Sequence, residues 1–126
     1  MSKFSDEMSE RFMIYAVNIV KIEKQLCKTY SGCHIYVQYF RAGTSAGANY
    51  EEARAGENRA DFIHKMQIVL KELRESHFWI KLCLAAKLIS SEDESLKFLF
   101  NESFESASIT AKSVVTAKSK IEKKES

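Results

Sequence analysis

Proline is absent from the 126 residues of this chain, and glycine occurs only four times. Because these two residues most strongly interrupt helices, their scarcity predicts an all-α fold. Apolar runs are short and interrupted by charged residues, so no transmembrane segment is expected. The length suits one domain with a single core. We therefore predict one helical domain over residues 1–126.

Cysteine is also scarce. Cys27, Cys33 and Cys83 are an odd number without the spacing of metal ligands, so we interpret them as free thiols in a reducing compartment. A signal peptide begins with basic residues that are followed by an apolar segment. The residues after Met1 are acidic instead, at Asp6, Glu7 and Glu10. These features predict a cytoplasmic protein.

Positive and negative side chains are nearly equal in number, which gives a net charge of +2. That excess alone is too small to indicate a general nucleic-acid-binding protein. The charges are unevenly placed, however: residues 92–105 hold five acids and one lysine, whereas residues 112–126 hold five lysines and two glutamates. We interpret this asymmetry as one helix whose ends complement its own dipole, with a phosphate-binding basic tail as the alternative.

What the sequence does contain is four amphipathic segments joined by short connections. In the first, apolar residues recur at intervals of four and three: Met8, Phe12, Tyr15, Ile19, Ile22 and Leu26. The last repeats that spacing: Leu96, Phe100, Ser103, Ala107, Thr110, Val114, Ala117 and Ile121. We predict helices at about residues 5–30, 34–56, 59–89 and 92–121. Short connections favour an antiparallel up-down-up-down four-helix bundle.

Residues with capping side chains mark the expected ends of these helices. Ser31-Gly32 is expected to end the first helix, because glycine is the usual left-handed cap. Asn58 is expected to begin the third. The sequence Ser91-Glu92-Asp93-Glu94 has the form of a capping box and is expected to begin the fourth.

The second half of the predicted third helix is apolar on most of its circumference. A helix of that kind cannot bury all its apolar side chains in one bundle core. We therefore predict that the protomer self-associates. The expected contact residues lie on the third and fourth helices: Phe78, Trp79, Leu82, Ile89, Phe98 and Ile109.

The second helix combines small residues with a line of polar ones. An apolar seam is expected on one side: Tyr36, Phe40, Gly43, Gly47 and Tyr50. Polar residues spaced by four, four and three share another face: Arg41, Ser45, Asn49 and Glu52. Antiparallel pairing with the third helix places Arg41 opposite Glu72 and Glu75, which an arginine can bind through two nitrogens. We interpret this cluster as a buried ionic clasp that fixes helix pairing, with a ligand pocket or carboxylate pair as the alternative.

Motifs for catalysis were sought and not found. A di-iron bundle site needs two Glu-x-x-His motifs, whereas the sequence offers only the near match Asp61-x-x-His64. No glycine-rich phosphate loop, Cys-x-x-Cys pair or nucleophile elbow is present. We therefore expect neither an enzyme nor a bound metal or cofactor.

Two segments together resemble a known family. They are Arg41-Ala-Gly-Thr-Ser-Ala-Gly-Ala-Asn-Tyr-Glu-Glu-Ala53, followed by Asp61-Phe62-Ile63, and Lys71-Glu-Leu-Arg-Glu-Ser-His-Phe-Trp-Ile80. They resemble the bacterial "four helix bundle protein" family, encoded within intervening sequences of 23S rRNA genes. A relative is the accessory variability protein of diversity-generating retroelements. The resemblance spans nearly the whole chain.

The resemblance implies a four-helix protomer that assembles into a ring, a homopentamer, without an established enzymatic activity. The retroelement relative binds nucleic acid and a reverse transcriptase through a basic surface. In this chain, the residues expected to supply such a surface are Arg54, Arg59, Lys65, Lys71, Arg74, Lys118 and Lys120. Two alternatives stay open: an adaptor that recruits another protein without nucleic acid, and a bundle that binds a small molecule at Arg41, Glu72 and Glu75.

Overall fold

The computed structural model describes residues 2–125 as five α-helices. They are α1 (Lys3–Lys21), α2 (Glu23–Leu26), α3 (Tyr30–Arg54), α4 (Arg59–Ala85) and α5 (Glu94–Glu125). Within this described part of the chain no β-strand occurs, which confirms the all-α prediction. No helix in the same residues is both long and apolar enough to span a bilayer.

Each predicted long helix is present, but some ends differ from the prediction. The first is divided at Ile22 into α1 and α2, and Ser31-Gly32 does not end it. Both residues lie in the first turn of α3, because the Thr29 hydroxyl accepts a hydrogen bond from the Gly32 N–H (3.0 Å) and begins that helix. The α2–α3 turn is therefore earlier than expected.

The connection between α4 and α5 is longer than predicted. Helix α4 ends at Ala85, not at residue 89, in a Schellman arrangement with Lys87 left-handed at φ 58°. There the Leu88 N–H donates to the Cys83 carbonyl (3.0 Å). The expected Ser91–Glu94 capping box is wrong as well. The Asp93 carboxylate accepts from the Leu96 N–H (3.0 Å), so α5 begins two residues later.

The four long helices contact one another in a closed order: α1 with α3, α3 with α4, α4 with α5, and α5 with α1. These are the contacts of a four-helix bundle, and each neighbouring pair is antiparallel. For example, the Ser9 hydroxyl near the start of α1 donates to Glu51 near the end of α3 (2.7 Å). The α1/α3 pair therefore lies on one side of the bundle and the α4/α5 pair on the other.

Two apolar clusters fill the bundle along its axis. One, at the α2–α3 turn, is rich in large side chains such as Tyr15, Tyr39 and Leu99. The other, at the opposite end, contains Met8 and Met66 together with small residues such as Ala46. Every residue of the predicted first-helix stripe is buried, which confirms that prediction.

The predicted seam of α3 is largely buried: Tyr36, Gly43 and Tyr50 are buried, whereas Phe40 is exposed. The core face of this helix also includes residues outside the seam, such as Tyr39. The two glycines of the seam face α1. A Cβ on Gly43 would lie 2.2 Å from Ile19 Cδ1, and one on Gly47 would lie 3.3 Å from Phe12 Cβ. The small residues thus let α1 approach α3 closely.

Candidate functional site

The polar line of α3 faces α4, where charged partners meet it. Arg41 Nη1 donates to Glu72 Oε2 (3.2 Å), and its other terminal nitrogen donates to Glu75. These contacts raise the pKa of the Arg41 guanidinium above its ordinary value, the hydrogen bond to Glu75 being the largest cause. Yet the Arg41 side chain is 48% exposed. The clasp is therefore present at the surface and not buried as expected, because the helix pair meets solvent here.

The remaining members of the polar line do not join Arg41. Asn49 Nδ2 donates to the Ser45 carbonyl one turn earlier (2.9 Å), and Glu52 accepts from Lys65 of α4 (3.0 Å). The polar line therefore makes two separate contacts with α4, one through Arg41 and one through Glu52. Between them, Ser45 and Asn49 are hydrogen-bonded to each other within α3. Since both carboxylates of the clasp already engage Arg41, we take the group as structural.

A second arginine clasp was missed from the sequence. Arg11 Nε donates to Glu102 (2.8 Å), and its Nη2 donates to Glu102 and Glu105 (each 3.1 Å). These hydrogen bonds, with Glu102 first, raise the pKa of Arg11 above its ordinary value. Glu102-x-x-Glu105 has the same spacing as the glutamate pair on α4. That repeated pattern was the signal available in the sequence.

A set of buried hydroxyl groups, also missed, connects α1, α3 and α4, and its two tyrosines belong to the cluster at the α2–α3 turn. Tyr39 donates to the Tyr15 hydroxyl (3.0 Å), which is also hydrogen-bonded to the Ser76 hydroxyl (3.0 Å). Burial raises the pKa of both tyrosines, so both hydroxyls stay protonated. On α4, His77 Nδ1 lies 2.7 Å from the Ser103 hydroxyl of α5. Burial, followed by the charge of Lys81, lowers the pKa of His77.

The basic residues predicted to bind nucleic acid fall into two classes. Two of them are occupied by carboxylates: Arg54 donates to Glu51 (3.1 Å) and to Asp6, while Lys65 is bound to Glu52. The other predicted residues have no carboxylate partner among the described side chains. Lys112, which was not predicted, has none either. The unpaired cations are Arg59, Lys71, Arg74, Lys112, Lys118 and Lys120.

Three of these unpaired cations line one groove on the α4/α5 side. The groove consists of two cavities, of about 310 and 500 Å³, that share Arg74 and Ala111. Lys71 and Lys118 line the larger cavity, whereas the 61%-exposed Phe104 lines the smaller. Apolar residues also line the larger cavity: Leu70, Val114 and the 67%-exposed Val115. We call these two cavities the α4/α5 groove.

The other three cations line a second cavity across α5. Arg59, Lys112 and Lys120 surround a volume of about 430 Å³, together with the apolar Phe4 and Phe62. The second half of α5 therefore has unpaired cations on both of its flanks. Acidic residues cluster instead near the beginning of that helix, at residues 92–94.

The predicted contact residues for self-association are placed unevenly. Phe78 and Phe98 are exposed, whereas Trp79, Leu82 and Ile109 are half-buried against the protomer's own clusters. Ile89 is only 7% exposed, so its expected role at the surface is wrong. It packs into the core because α4 ends before it and the chain turns inward.

An exposed apolar surface lies where the sequence did not predict one, on the α1/α3 side. We call it the α1/α3 face: Met13, Val17, Val20, Val37 and Phe40. A groove of about 320 Å³ adjoins it, lined by Met13, Ala16 and Ala48 with Glu51 at its rim. The sequence analysis identified the buried stripe of the first helix, and the exposed residues of the α1/α3 face lie outside that stripe.

Histidine, cysteine and acidic side chains are the groups that could bind a metal ion. No group of three or more histidine, cysteine or acidic side chains converges within the described residues. Cys83 is fully buried, and burial raises its thiol pKa to about 11. Neither observation identifies a reacting group.

Comparisons with known proteins agree with this architecture. The sequence matches the profile of the 23S rRNA-intervening sequence protein family over residues 7–121. A solved structure from Bacteroides thetaiotaomicron, a protein of unknown function from the S23 ribosomal protein family, superposes with a TM-score of 0.78 at 31% identity. That match covers 87% of this chain and 96% of the other. No curated protein matches. With the resemblance confirmed over most of its length, the chain belongs to the 23S rRNA-intervening sequence protein family.

Proposed function

We propose that this protein is a non-enzymatic, homo-oligomeric scaffold that binds structured RNA through the α4/α5 groove. The observation that carries the proposal is the set of three unpaired cations that line this groove, with three more on the other flank of the second half of α5. Cations that lack a carboxylate partner can contact phosphates without first breaking an ion pair. Each phosphate contact also releases counterions, which favours binding at low salt.

Self-association is the second part of the proposal. The α1/α3 face exposes five large apolar side chains on neighbouring helices. Large apolar side chains exposed together on one side of a molecule are typical of protein–protein contacts. We propose that it forms the contact between copies, with the homopentamer of the family resemblance as the expected assembly. Each added protomer then repeats the basic surface, which strengthens binding to one long polyanion.

The test is an electrophoretic shift with a structured RNA, repeated over a salt series. Replacing the three groove cations together (Lys71→Ala, Arg74→Ala, Lys118→Ala) should weaken binding at every salt concentration. Because three phosphate contacts are lost, the slope of log affinity against log salt should fall by roughly 2 to 3 per protomer. No shift of the wild-type protein at low salt would overturn the proposal.

A matched control removes the same charge elsewhere. Lys21, Lys24 and Lys28 are exposed lysines near the α2–α3 turn, away from the groove. Changing these three to alanine should leave most of the affinity and nearly all of the salt slope. If both triple variants weaken binding equally, the interaction follows net charge, and the groove is not the site.

The apolar residues that line the groove favour a second candidate, a protein-recruiting adaptor. An acidic amphipathic helix of a partner could place apolar side chains on Leu70 and Val115 and carboxylates on the flanking cations. In this case Val115→Asp should abolish capture of the partner from a nuclease-treated lysate of the native host. The uncharged change Val115→Asn should also weaken capture but affect RNA binding little, because it gives the groove cations no carboxylate partner.

A further inference from the structure

Two cysteines flank the turn that joins α2 to α3. Cys27 is the C-cap of α2, and its N–H donates to the Glu23 carbonyl (2.8 Å). Cys33 lies in the first turn of α3, where its N–H donates to the Thr29 carbonyl (3.0 Å). Both side chains are half-buried, so small reagents in solution can reach them. Cys83, by contrast, is fully buried in the core.

The backbone brings these two cysteines together. A Cβ on Gly32 would lie 2.1 Å from the Leu26 carbonyl oxygen, so the chain at Gly32 touches the chain at Leu26. Cys27 and Cys33 are the next residues along each of the touching segments. Disulfides require Cα atoms within about 4.4–6.8 Å, a separation that such backbone contact favours. Glycine at position 32 is thus needed for the approach.

The two thiols also influence each other. Interaction with the Cys33 side chain is the largest cause that raises the pKa of Cys27 to about 11, followed by burial and by the charges of Cys33 and Glu23. Cys27 therefore holds its proton at neutral pH. We expect Cys33 to react first, with Cys27 then completing the exchange.

We propose that Cys27 and Cys33 are a reversible disulfide site that reacts with low-molecular-weight disulfides such as oxidised glutathione. In the first step the Cys33 thiolate attacks one glutathione sulfur, forming a mixed disulfide and releasing one glutathione thiolate. Cys27 then loses its proton and attacks Cys33 Sγ, which expels the second thiolate. Two protein thiols and one oxidised glutathione become one protein disulfide and two reduced glutathiones, with two electrons transferred to glutathione.

The bond would tie α2 to the first turn of α3. Helix α2 is only four residues long, and its Gln25 Nε2 donates to Asp93 at the beginning of α5 (3.2 Å). The site lies at the end of the bundle away from Arg59 and Lys120. Oxidation should therefore slow amide hydrogen exchange around residues 22–33 and leave RNA affinity unchanged, so the inference is independent of the proposed function.

The experiment is a tryptic digest of the oxidised protein under non-reducing conditions, followed by mass spectrometry. The full chain is incubated with oxidised glutathione at about pH 8, quenched with acid and N-ethylmaleimide, and cleaved with trypsin. Because cleavage follows Lys24, Lys28 and Arg41, the proposed disulfide holds peptide 25–28 to peptide 29–41. We expect this linked pair to be the main oxidised product of wild-type protein and to disappear after treatment with dithiothreitol.

Single-cysteine variants provide the controls. Cys83→Ala should give the linked pair as wild type does. Cys27→Ser should lose the pair and accumulate glutathione on Cys33, because the second step has no attacking thiol. Wild-type protein that carries glutathione on either cysteine but yields no linked pair would overturn the proposal. So would a cysteine linked only to the same cysteine of a second copy.

Discussion

The α1/α3 side and the α4/α5 side of this bundle are built from the same element, an antiparallel helix pair, yet they present opposite surfaces. On the α1/α3 side, Gly43 and Gly47 let the helices touch, and the outer surface is apolar. On the α4/α5 side, His77 of α4 lies 2.7 Å from the Ser103 hydroxyl of α5, and unpaired cations line the groove between the two helices. The same antiparallel pairing can therefore present either an apolar face or a cationic groove, depending on the side chains that lie outside the helix contact.

The two sides are joined by two seams, α3/α4 and α1/α5, and each seam carries an arginine bound to a Glu-x-x-Glu pair. Arg41 spans the first and Arg11 the second. We expect the clasps to favour this helix pairing, because a different pairing would separate each arginine from its two glutamates. That pairing keeps the apolar face and the basic groove on opposite sides of the molecule.

The largest effect is expected where the close contact of α1 with α3 is broken. Gly43→Leu places a side chain against the fully buried Ile19. Overpacking of this kind should lower the free energy of unfolding by about 3 kcal/mol, measured by urea denaturation. Ala60→Leu, at an exposed position of α4, is the matched control and should change stability little. Equal stability of both variants would show that the glycine contact is not needed.

The two clasps should differ in strength, because their exposure differs. Arg11 is 32% exposed and its partner Glu102 only 11%, whereas Arg41 is 48% exposed. Arg11→Ala should therefore cost about 2 kcal/mol of unfolding free energy, and Arg41→Ala about 1 kcal/mol. Lys3→Ala, which removes a fully exposed pair with Glu7 at 3.9 Å, should cost almost nothing. A larger loss for Arg41 than for Arg11 would contradict this ranking.

The smallest effect concerns the α4/α5 contact and its dependence on pH. Because the folded pKa of His77 is below the ordinary value of 6.5, the unfolded chain binds the proton more readily. Stability should therefore rise with pH from the lowered folded value up to the ordinary one. His77→Gln, which keeps a hydrogen-bonding group near Ser103, should flatten this rise in melting temperature between about pH 5 and 7. An unchanged slope would mean that His77 is not the titrating group.

Several elements could be predicted from the sequence because one physical signal dominated there. The stripe of α1 and the Asn58 cap of α4 are such cases, and the Asn58 side chain does accept from the Asp61 N–H (2.8 Å). The seam of α3 was partly correct, because Tyr36 and Tyr50 are buried but Phe40 is exposed. This helix is rich in small residues, so apolar periodicity did not fully define its buried side. Local patterns also favoured Gly32 as a cap, although its role is to permit contact with Leu26.

The candidate site was only partly predictable for a similar reason. The sequence identifies the cationic residues but not the carboxylates that pair with them. Arg54 and Lys65 are paired with carboxylates, whereas Lys71 and Arg74 are not. The exposed apolar surface was expected on the third and fourth helices. It lies also on α1, where Met13 and Val17 stand outside the stripe that the spacing singled out.

The central claim is that copies of the chain associate through the α1/α3 face. Sedimentation velocity of the wild-type chain at micromolar concentration tests it most directly. We predict one species with the mass of several 14.4 kDa protomers, about five from the family resemblance, and its dissociation in the variant Val17→Asp. A monodisperse species of 14.4 kDa for the wild type would contradict the account.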